Sequence, residues 1–288
     1  MDLNEVFDRT RPCFSLEIFP PKDHQGGVET IYETLDGLKE VRPEFISCTY
    51  GAGGNLADSS TIEICSIIKE KYGITPISHL TCVNNSKEDI DVILTRLKAA
   101  GITNILALRG DLKPGQEPKN DFAHASDLIS YIKRFDSSFY VSAACYPEGH
   151  PDSESIVSDI KMLKYKVDCG AQHLISQLFF NNEDFYRFRE RCAIAGVNVP
   201  IEAGIMPVTS KQSILRMVSM CGASVPSKLS KLLNRFEHKP LALEEACIAY
   251  ATDQIIDLIS NDVDGIHLYT MNRPYIAQRI FKVIEPMR

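Results

Sequence analysis

The chain has 288 residues, 44% hydrophobic and 24% charged, with a formal net charge of −7 from 31 Lys and Arg against 38 Asp and Glu. That balance buries a full core and excludes a disordered or collagen-like chain; the acidic surplus argues against sequence-independent nucleic-acid binding, which needs Lys and Arg to displace counterions. No apolar run is long enough to span a bilayer and MDLNEVFDRTRPC lacks a signal peptide's apolar stretch, so a soluble cytoplasmic protein is expected.

Short runs of β-forming residues recur along the chain, each followed by a helix-period segment. Strands are predicted over residues 14–19, 45–49, 77–81, 105–108, 139–143, 173–179, 200–205 and 265–270. Between the third and fourth, residues 86–100 carry Ile90, Ile93, Leu94 and Leu97 at helical spacing, with Ser86 as cap and Gly101 as stop. Residues 153–169 form a similar segment after the fifth strand. Successive strand starts lie 27 to 34 residues apart until the last interval of 65, which is expected to hold an inserted helix over Ser227–Phe236 and another over 241–259.

No linker or low-complexity break divides the chain. Eight such units predict an α/β fold of one domain over residues 1–288, a (β/α)8 TIM barrel with an inserted helix before the last strand. An open doubly wound sheet is the alternative, and it needs a nucleotide fingerprint. The nearest candidate is Gly51-Ala52-Gly53-Gly54-Asn55-Leu56. Leu56 is too bulky for the third glycine position, so the segment reads as a loop whose backbone can approach a ligand.

Nine cysteines are scattered, with the nearest pairs 17 residues apart, so no CxxC pair exists. They read as reduced core residues, and no metal is expected.

In a barrel, the C-terminal ends of the strands share one mouth, where chemistry belongs. Seven of the eight predicted ends carry polar groups: Glu17; Thr49-Tyr50; His79; Arg109-Gly110-Asp111; Tyr146 with Glu148 and His150; Gln177; and Asn272-Arg273. Together they imply a polar pocket for a sizeable ligand. Glu17 sits before Ile18 and Phe19, and apolar surroundings would leave its carboxyl able to donate a proton near neutral pH. A structural ion pair with Lys22 or Arg109 is the alternative. Arg109 suits a phosphate or a salt bridge to Asp111, and Tyr146 with His150 suits either a ligand face or packing. Asp159 and Lys166 lie two turns apart on one helix face. The inserted segment carries Lys228, Lys231, Arg235, His238 and Lys239, a solvated basic face or a docking patch for an acidic subunit.

The blocks FSLEIFPPK (14–22), CTYGAGG (48–54), HLTC (79–82), LALRGD (106–111), YPEGHP (146–151), KVDCGAQHLISQLFF (166–180), GIMPV (204–208) and YTMNR (269–273) run in order through the chain. In this respect the chain resembles the methylenetetrahydrofolate reductase family, flavin-dependent barrel enzymes. The resemblance implies the catalytic barrel alone, without a regulatory domain, and reduction of 5,10-methylenetetrahydrofolate to 5-methyltetrahydrofolate. Hydride would pass from NADH or NADPH through FAD, bound without a Rossmann fold. By matching position, the FAD-holding residues would be Tyr50, Ala52, His79, Leu108, Arg109, Gly110, Asp111, Ala125, Tyr146, His150, Asp159 and Lys166, with Thr49 near the flavin ring and the nicotinamide. Glu17 would be the general acid that opens the folate's five-membered ring, and Asp111 the anion facing the resulting iminium and the pterin. Gln177, Gln212 and Arg273 would contact folate. The chain departs from the family at His124, where many relatives carry a tyrosine, and offers Arg216 or Met217 where some place a phenylalanine. Some relatives work beside a zinc or iron–sulfur subunit. Homo-oligomerisation and a catalytic or flavin-binding role in an electron-transfer complex are therefore further expectations, and a corrinoid-linked methyltransferase is the rival from another class.

Overall fold

A computed structural model describes residues 3–7, 11–21, 30–50, 60–112, 115 and 117–288. The predicted Gly-rich loop, with Ala52, and Lys22 lie outside the described residues. Eight parallel strands close into a barrel in sequence order: β1 (Cys13–Ile18), β2 (Phe45–Cys48), β3 (Thr75–Thr81), β4 (Asn104–Leu108), β5 (Tyr140–Cys145), β6 (His173–Ser176), β7 (Ile201–Ile205) and β8 (Gly265–Tyr269). Closure is made by β8 against β1, where Leu16 aligns with Leu268 and Glu17 with Tyr269.

The short helix α1 (Leu3–Val6) lies under the barrel, and the other described helices cover the outside: α2 (Thr30–Leu38), α3 (Ser60–Tyr72), α4 (Lys87–Ala99), α5 (Ala125–Phe135), α6 (Ile156–Asp168), α7 (Asn182–Ile194), α8 (Lys211–Cys221), α9 (Ser227–Phe236), α10 (Pro240–Ser260) and α11 (Pro274–Ile284). The main core lies between barrel and helices, where Phe14, Leu16 and Ile18 of β1 meet Ile31 and Leu35 of α2. The period of a strand turns the alternate residues Cys13, Ser15 and Glu17 inward. At the bottom of the interior, Leu3 and Val6 of α1 cluster with Cys13, Phe45, Ile77, Leu106, Tyr140 and Ile175. No described helix is long and apolar enough to cross a membrane.

Ser86 caps α4 in a reciprocal box with Asp89, and Gly101 ends the turn at φ +65°, as the pattern predicted. Most boundaries shift by one or two residues, and two shift by three. Helix α6 starts at Ile156 because Ser155 supplies the cap, while Ser153 Oγ is engaged by Asp159 at 3.1 Å. Strand β6 stops at Ser176 rather than 179. There the Gln177 side chain accepts from Leu178 N at 2.8 Å, and Leu178 and Phe180 leave the sheet for a second core. That second core, shared with α8, α9 and α10, accounts for the long interval before β8. It buries Met206, Val208, Ile214, Leu229, Leu233 and Leu243. The basic face of α9 is partly neutralised, with Lys228 Nζ 2.8 Å from Asp253. All nine cysteines are free, and seven are buried.

Candidate active site

Glu17 ends an inward-facing row on β1 and is 7% exposed. Its backbone oxygen accepts from Thr270 Oγ1 at 2.6 Å and from Thr270 N at 3.2 Å. The Asn272 amide clamps Phe19 from both sides, accepting from its N at 2.9 Å and donating to its O at 2.8 Å. Met271 and Asn272 adopt left-handed φ values of 52° and 53° to make this exit. The carboxyl faces two imidazoles rather than Arg109. Glu17 Oε2 lies 3.5 Å from His79 Nε2 on β3 and 3.5 Å from His267 Nε2 on β8. Burial pushes the His79 pKa down to about 4, against an opposing pull from Glu17, so this ring is neutral at pH 7. Its Nε2 is buried without a hydrogen-bond partner.

Beside this pair, Thr49 N is bonded to Ile18 O at 3.1 Å, and Thr49 O accepts from Thr61 Oγ1 at 3.1 Å. Thr49 and Tyr50 are half-buried at the end of β2. After β4, Leu108 and Arg109 present their carbonyls to the amides of Cys82 and Val83. Gly110 follows with φ +81°, and a Cβ there would fall 2.8 Å from Thr81 Cβ, so the turn requires glycine. Asp111 is exposed, and its carbonyl accepts from Asn84 Nδ2 at 3.4 Å. Arg109 pairs with Asp152 at 3.3 Å rather than with Asp111.

The exit of β5 is a braced loop. Tyr146 and His150 pack edge to face with centroids 4.6 Å apart. Asp159 accepts from His150 N at 3.3 Å and from Ser153 Oγ, which ties the loop to the first turn of α6. Lys166, two turns on, sends Nζ back to Ala144 O at 3.0 Å, and burial lowers its pKa. Burial also pushes the Tyr146 phenol up to about 12. Ala125 is buried at the start of α5, and His124 is the exposed cap residue before it, with its N bonded to Asp127.

The three expected folate contacts lie on separate exits. Gln177 follows β6 with its N on Cys145 O at 2.7 Å. Gln212 is exposed in the first turn of α8. Arg273 caps α11 and pairs with Glu244. Sequence reasoning missed His267, Ser15, Ser47 and Glu202, buried polar residues inside the barrel. Their signal was a polar side chain at alternate positions of otherwise apolar strands. Among the described residues, no group of three or more His, Cys, Asp or Glu is arranged to hold a metal ion.

A sequence model of the methylenetetrahydrofolate reductase family matches residues 2–285. The chain is 36% identical over 284 residues to methylenetetrahydrofolate reductase (NADH) 1 of Arabidopsis thaliana, covering 94% of this chain and 48% of that protein. It is 35% identical over 266 residues to 5,10-methylenetetrahydrofolate reductase of Pectobacterium carotovorum subsp. carotovorum, covering 92% of this chain and 88% of that protein. The chain thus spans about half the length of the plant relative and most of the bacterial one. Its fold is similar to that of a Clostridium thermocellum protein that binds two copies of 5-methyl-5,6,7,8-tetrahydrofolic acid (TM-score 0.64, 13% identity, 97% of this chain and 99% of that one). A dihydropteroate synthase from Coxiella burnetii in complex with pteroic acid is also similar (TM-score 0.56, 10% identity, 95% and 92%). At such identities the likeness concerns the fold alone.

Proposed function

The chain belongs to the methylenetetrahydrofolate reductase family, and on that premise we propose that it reduces 5,10-methylenetetrahydrofolate to 5-methyltetrahydrofolate with FAD and a reduced nicotinamide, as a single catalytic barrel. When bound, FAD would carry the hydride from NADH or NADPH to the folate. The observation that carries the reading is the buried Glu17 carboxyl at the barrel mouth, which among the described residues faces the imidazoles of His79 and His267.

The exits of β4 and β5 suit this cofactor in charge and shape. Two cations, Arg109 and Lys166, stand there, and Lys166 donates to a backbone carbonyl. Gly110 leaves a cradle beside Thr81 that a Cβ would fill, and His79 Nε2 is a buried polar atom without a partner. Arg109 and Lys166 would meet the diphosphate, the Tyr146–His150 face and Tyr50 the apolar ring surfaces, and Asp159 would keep the loop in place. Leu108, Gly110, Ala125 and the Ala52 loop would give backbone and apolar contact, and Thr49 would lie near the ring.

On the substrate side, Glu17 would protonate the folate nitrogen whose C–N bond breaks as the five-membered ring opens. The product is a cationic iminium, which the Asp111 carboxylate would stabilise. Asp111 and the Gln177 amide supply the acceptors and donors that a pterin edge needs. Gln212 would add an amide, and Arg273 would meet the glutamate tail once released from Glu244.

The test is the absorbance spectrum of the purified protein, before and after anaerobic NADH or NADPH. A flavin band that bleaches with either donor is expected. A colourless protein that gains no flavin band when FAD is added would overturn the reading, and a flavin that neither donor bleaches would move the electron source to a partner subunit.

A further inference from the structure

Helix α8 is weakly packed: Ile214 is the only one of its eleven residues that is buried. At 1.5 Å per residue the helix is about 16 Å long. Its first turn follows the exit of β7, where Ser210 caps it through Ser213 N at 3.1 Å and Lys211 Nζ pairs with Glu237 at 2.8 Å. Its last residue stands by the exits of β4 and β5. Burial and then the Asp111 charge push the Cys221 thiol up, and Cys221 is the first group after burial that raises the Tyr146 phenol. Thus α8 crosses one side of the mouth. A helix with so few buried side chains has little local stability of its own, so the fastening of its ends decides where it lies.

The far end is fastened to the loop that carries the Tyr146–His150 face. Ser224 N donates to both oxygens of Glu148, at 3.1 Å to Oε1 and 3.0 Å to Oε2. Beside it Gly222 ends α8 at φ +71°, with its N on Val218 O at 2.9 Å. A Cβ on Gly222 would fall 3.1 Å from Pro151 Cγ, so the helix end packs closely on the same loop. Among the described residues, no other hydrogen bond joins residues 211–226 to this loop. Glu148 makes no ion pair there, and both its oxygens serve this one N–H.

Gln212, Arg216 and Met220 recur at i, i+4 and i+8, and all three are exposed on one face of α8. A folate that meets Asp111 and Gln177 with its pterin, and Gln212 with its further end, lies along this helix. We infer that Glu148 is a positioning residue for folate: by holding Ser224 it sets the angle of α8 across the mouth, and with it the opening between Gln212 and Asp111 that the substrate spans. The inference rests on the proposed folate contacts. Glu148 acts through the connection between α8 and α9, without itself meeting folate.

Without this latch α8 samples other angles, and only the fraction at the competent angle takes folate. The apparent dissociation constant rises as the inverse of that fraction, so a competent fraction of about one tenth weakens binding about tenfold. Bound folate then holds α8 in place itself, and the chemical step keeps its rate. The role requires an acceptor oxygen and not a negative charge, which an amide also supplies.

The test is stopped-flow reoxidation of nicotinamide-reduced holoenzyme over a range of methylenetetrahydrofolate concentrations. Glu148→Ala should raise the half-saturating concentration about tenfold and leave the limiting rate and the flavin content unchanged. Glu148→Gln keeps an oxygen for Ser224 N and should lie near wild type. Glu148→Asp, whose carboxylate falls one methylene short, should shift the same constant in the same direction, and it carries the test should the alanine variant fail to fold. Amide hydrogen exchange without folate should speed up over residues 211–226 in the alanine variant and not in the glutamine variant. An unmoved half-saturating concentration, a limiting rate that falls instead, a glutamine variant as weak as the alanine one, or unchanged exchange over 211–226 overturns the inference. Failure of the reading beneath it shows separately, as a reduced wild-type flavin that methylenetetrahydrofolate does not reoxidise.

Discussion

Glu17→Gln should divide the proposed reaction into a half that survives and a half that fails. The side chain is 7% exposed and ends a strand whose Glu17 carbonyl is held by Thr270 at 2.6 Å, so a near-isosteric amide keeps the backbone in place. Both nearby imidazole nitrogens stand 3.5 Å from Oε2, within reach of an amide as of an acid. What the amide lacks is a transferable proton. General acid catalysis contributes about 10²–10⁴-fold, which at 1.36 kcal/mol per decade is about 3–5 kcal/mol of barrier. The assay is anaerobic stopped flow on protein first reduced by nicotinamide. Bleaching should run near the wild-type rate, because it needs no proton from Glu17, while reoxidation by methylenetetrahydrofolate should slow by about 10²-fold or more. Retained flavin absorbance excludes a folding defect. Reoxidation at the wild-type rate would make Glu17 structural and require another proton donor.

Asp111→Asn should keep FAD but weaken folate binding and slow reoxidation by about 10²-fold, the scale of losing one electrostatic stabiliser; unchanged folate reduction measured on the same instrument would remove Asp111 from the chemistry. His79, held at about 4 in the fold, takes up a proton near pH 6.5 once unfolded. Unfolding is therefore favoured as pH falls through that window, and up to about 3 kcal/mol of stability present above pH 6.5 is lost towards pH 4. Urea unfolding of wild type and His79→Gln from pH 7 to 4.5 should show the wild type losing stability faster, and parallel curves would contradict the burial argument. Gly204→Ala would place a Cβ 2.1 Å from Ser176 O and 2.9 Å from the Tyr269 ring, so a loss of about 1–3 kcal/mol is expected in the same urea assay; a neutral result would mean that β6 and β7 part freely.

The barrel was legible because each strand is a short β-forming run and each following helix shows its own period. The capping of α4 by Ser86 and its stop at Gly101 are local chemistry, readable without the fold. Boundaries were missed where a side chain took over a backbone bond, as Gln177 did after β6 and Ser155 did before α6. At the site, strand ends pointed to Glu17, His79 and Arg109, but their pairings did not follow from spacing. The Arg109 partner is Asp152, 43 positions away, and the Glu17 neighbours are His79 and His267. The polar residues inside the barrel stayed hidden because Ser15, Glu202 and His267 are separated by up to 252 positions and meet only when β8 closes on β1.

The most direct measurement of the central claim is anaerobic turnover of the FAD-loaded protein with methylenetetrahydrofolate and NADH or NADPH, with the folates identified by mass spectrometry. The account predicts accumulation of 5-methyltetrahydrofolate in step with nicotinamide oxidation, and its near-complete loss in Glu17→Gln. Nicotinamide oxidised or flavin bleached with no 5-methyltetrahydrofolate formed would contradict it.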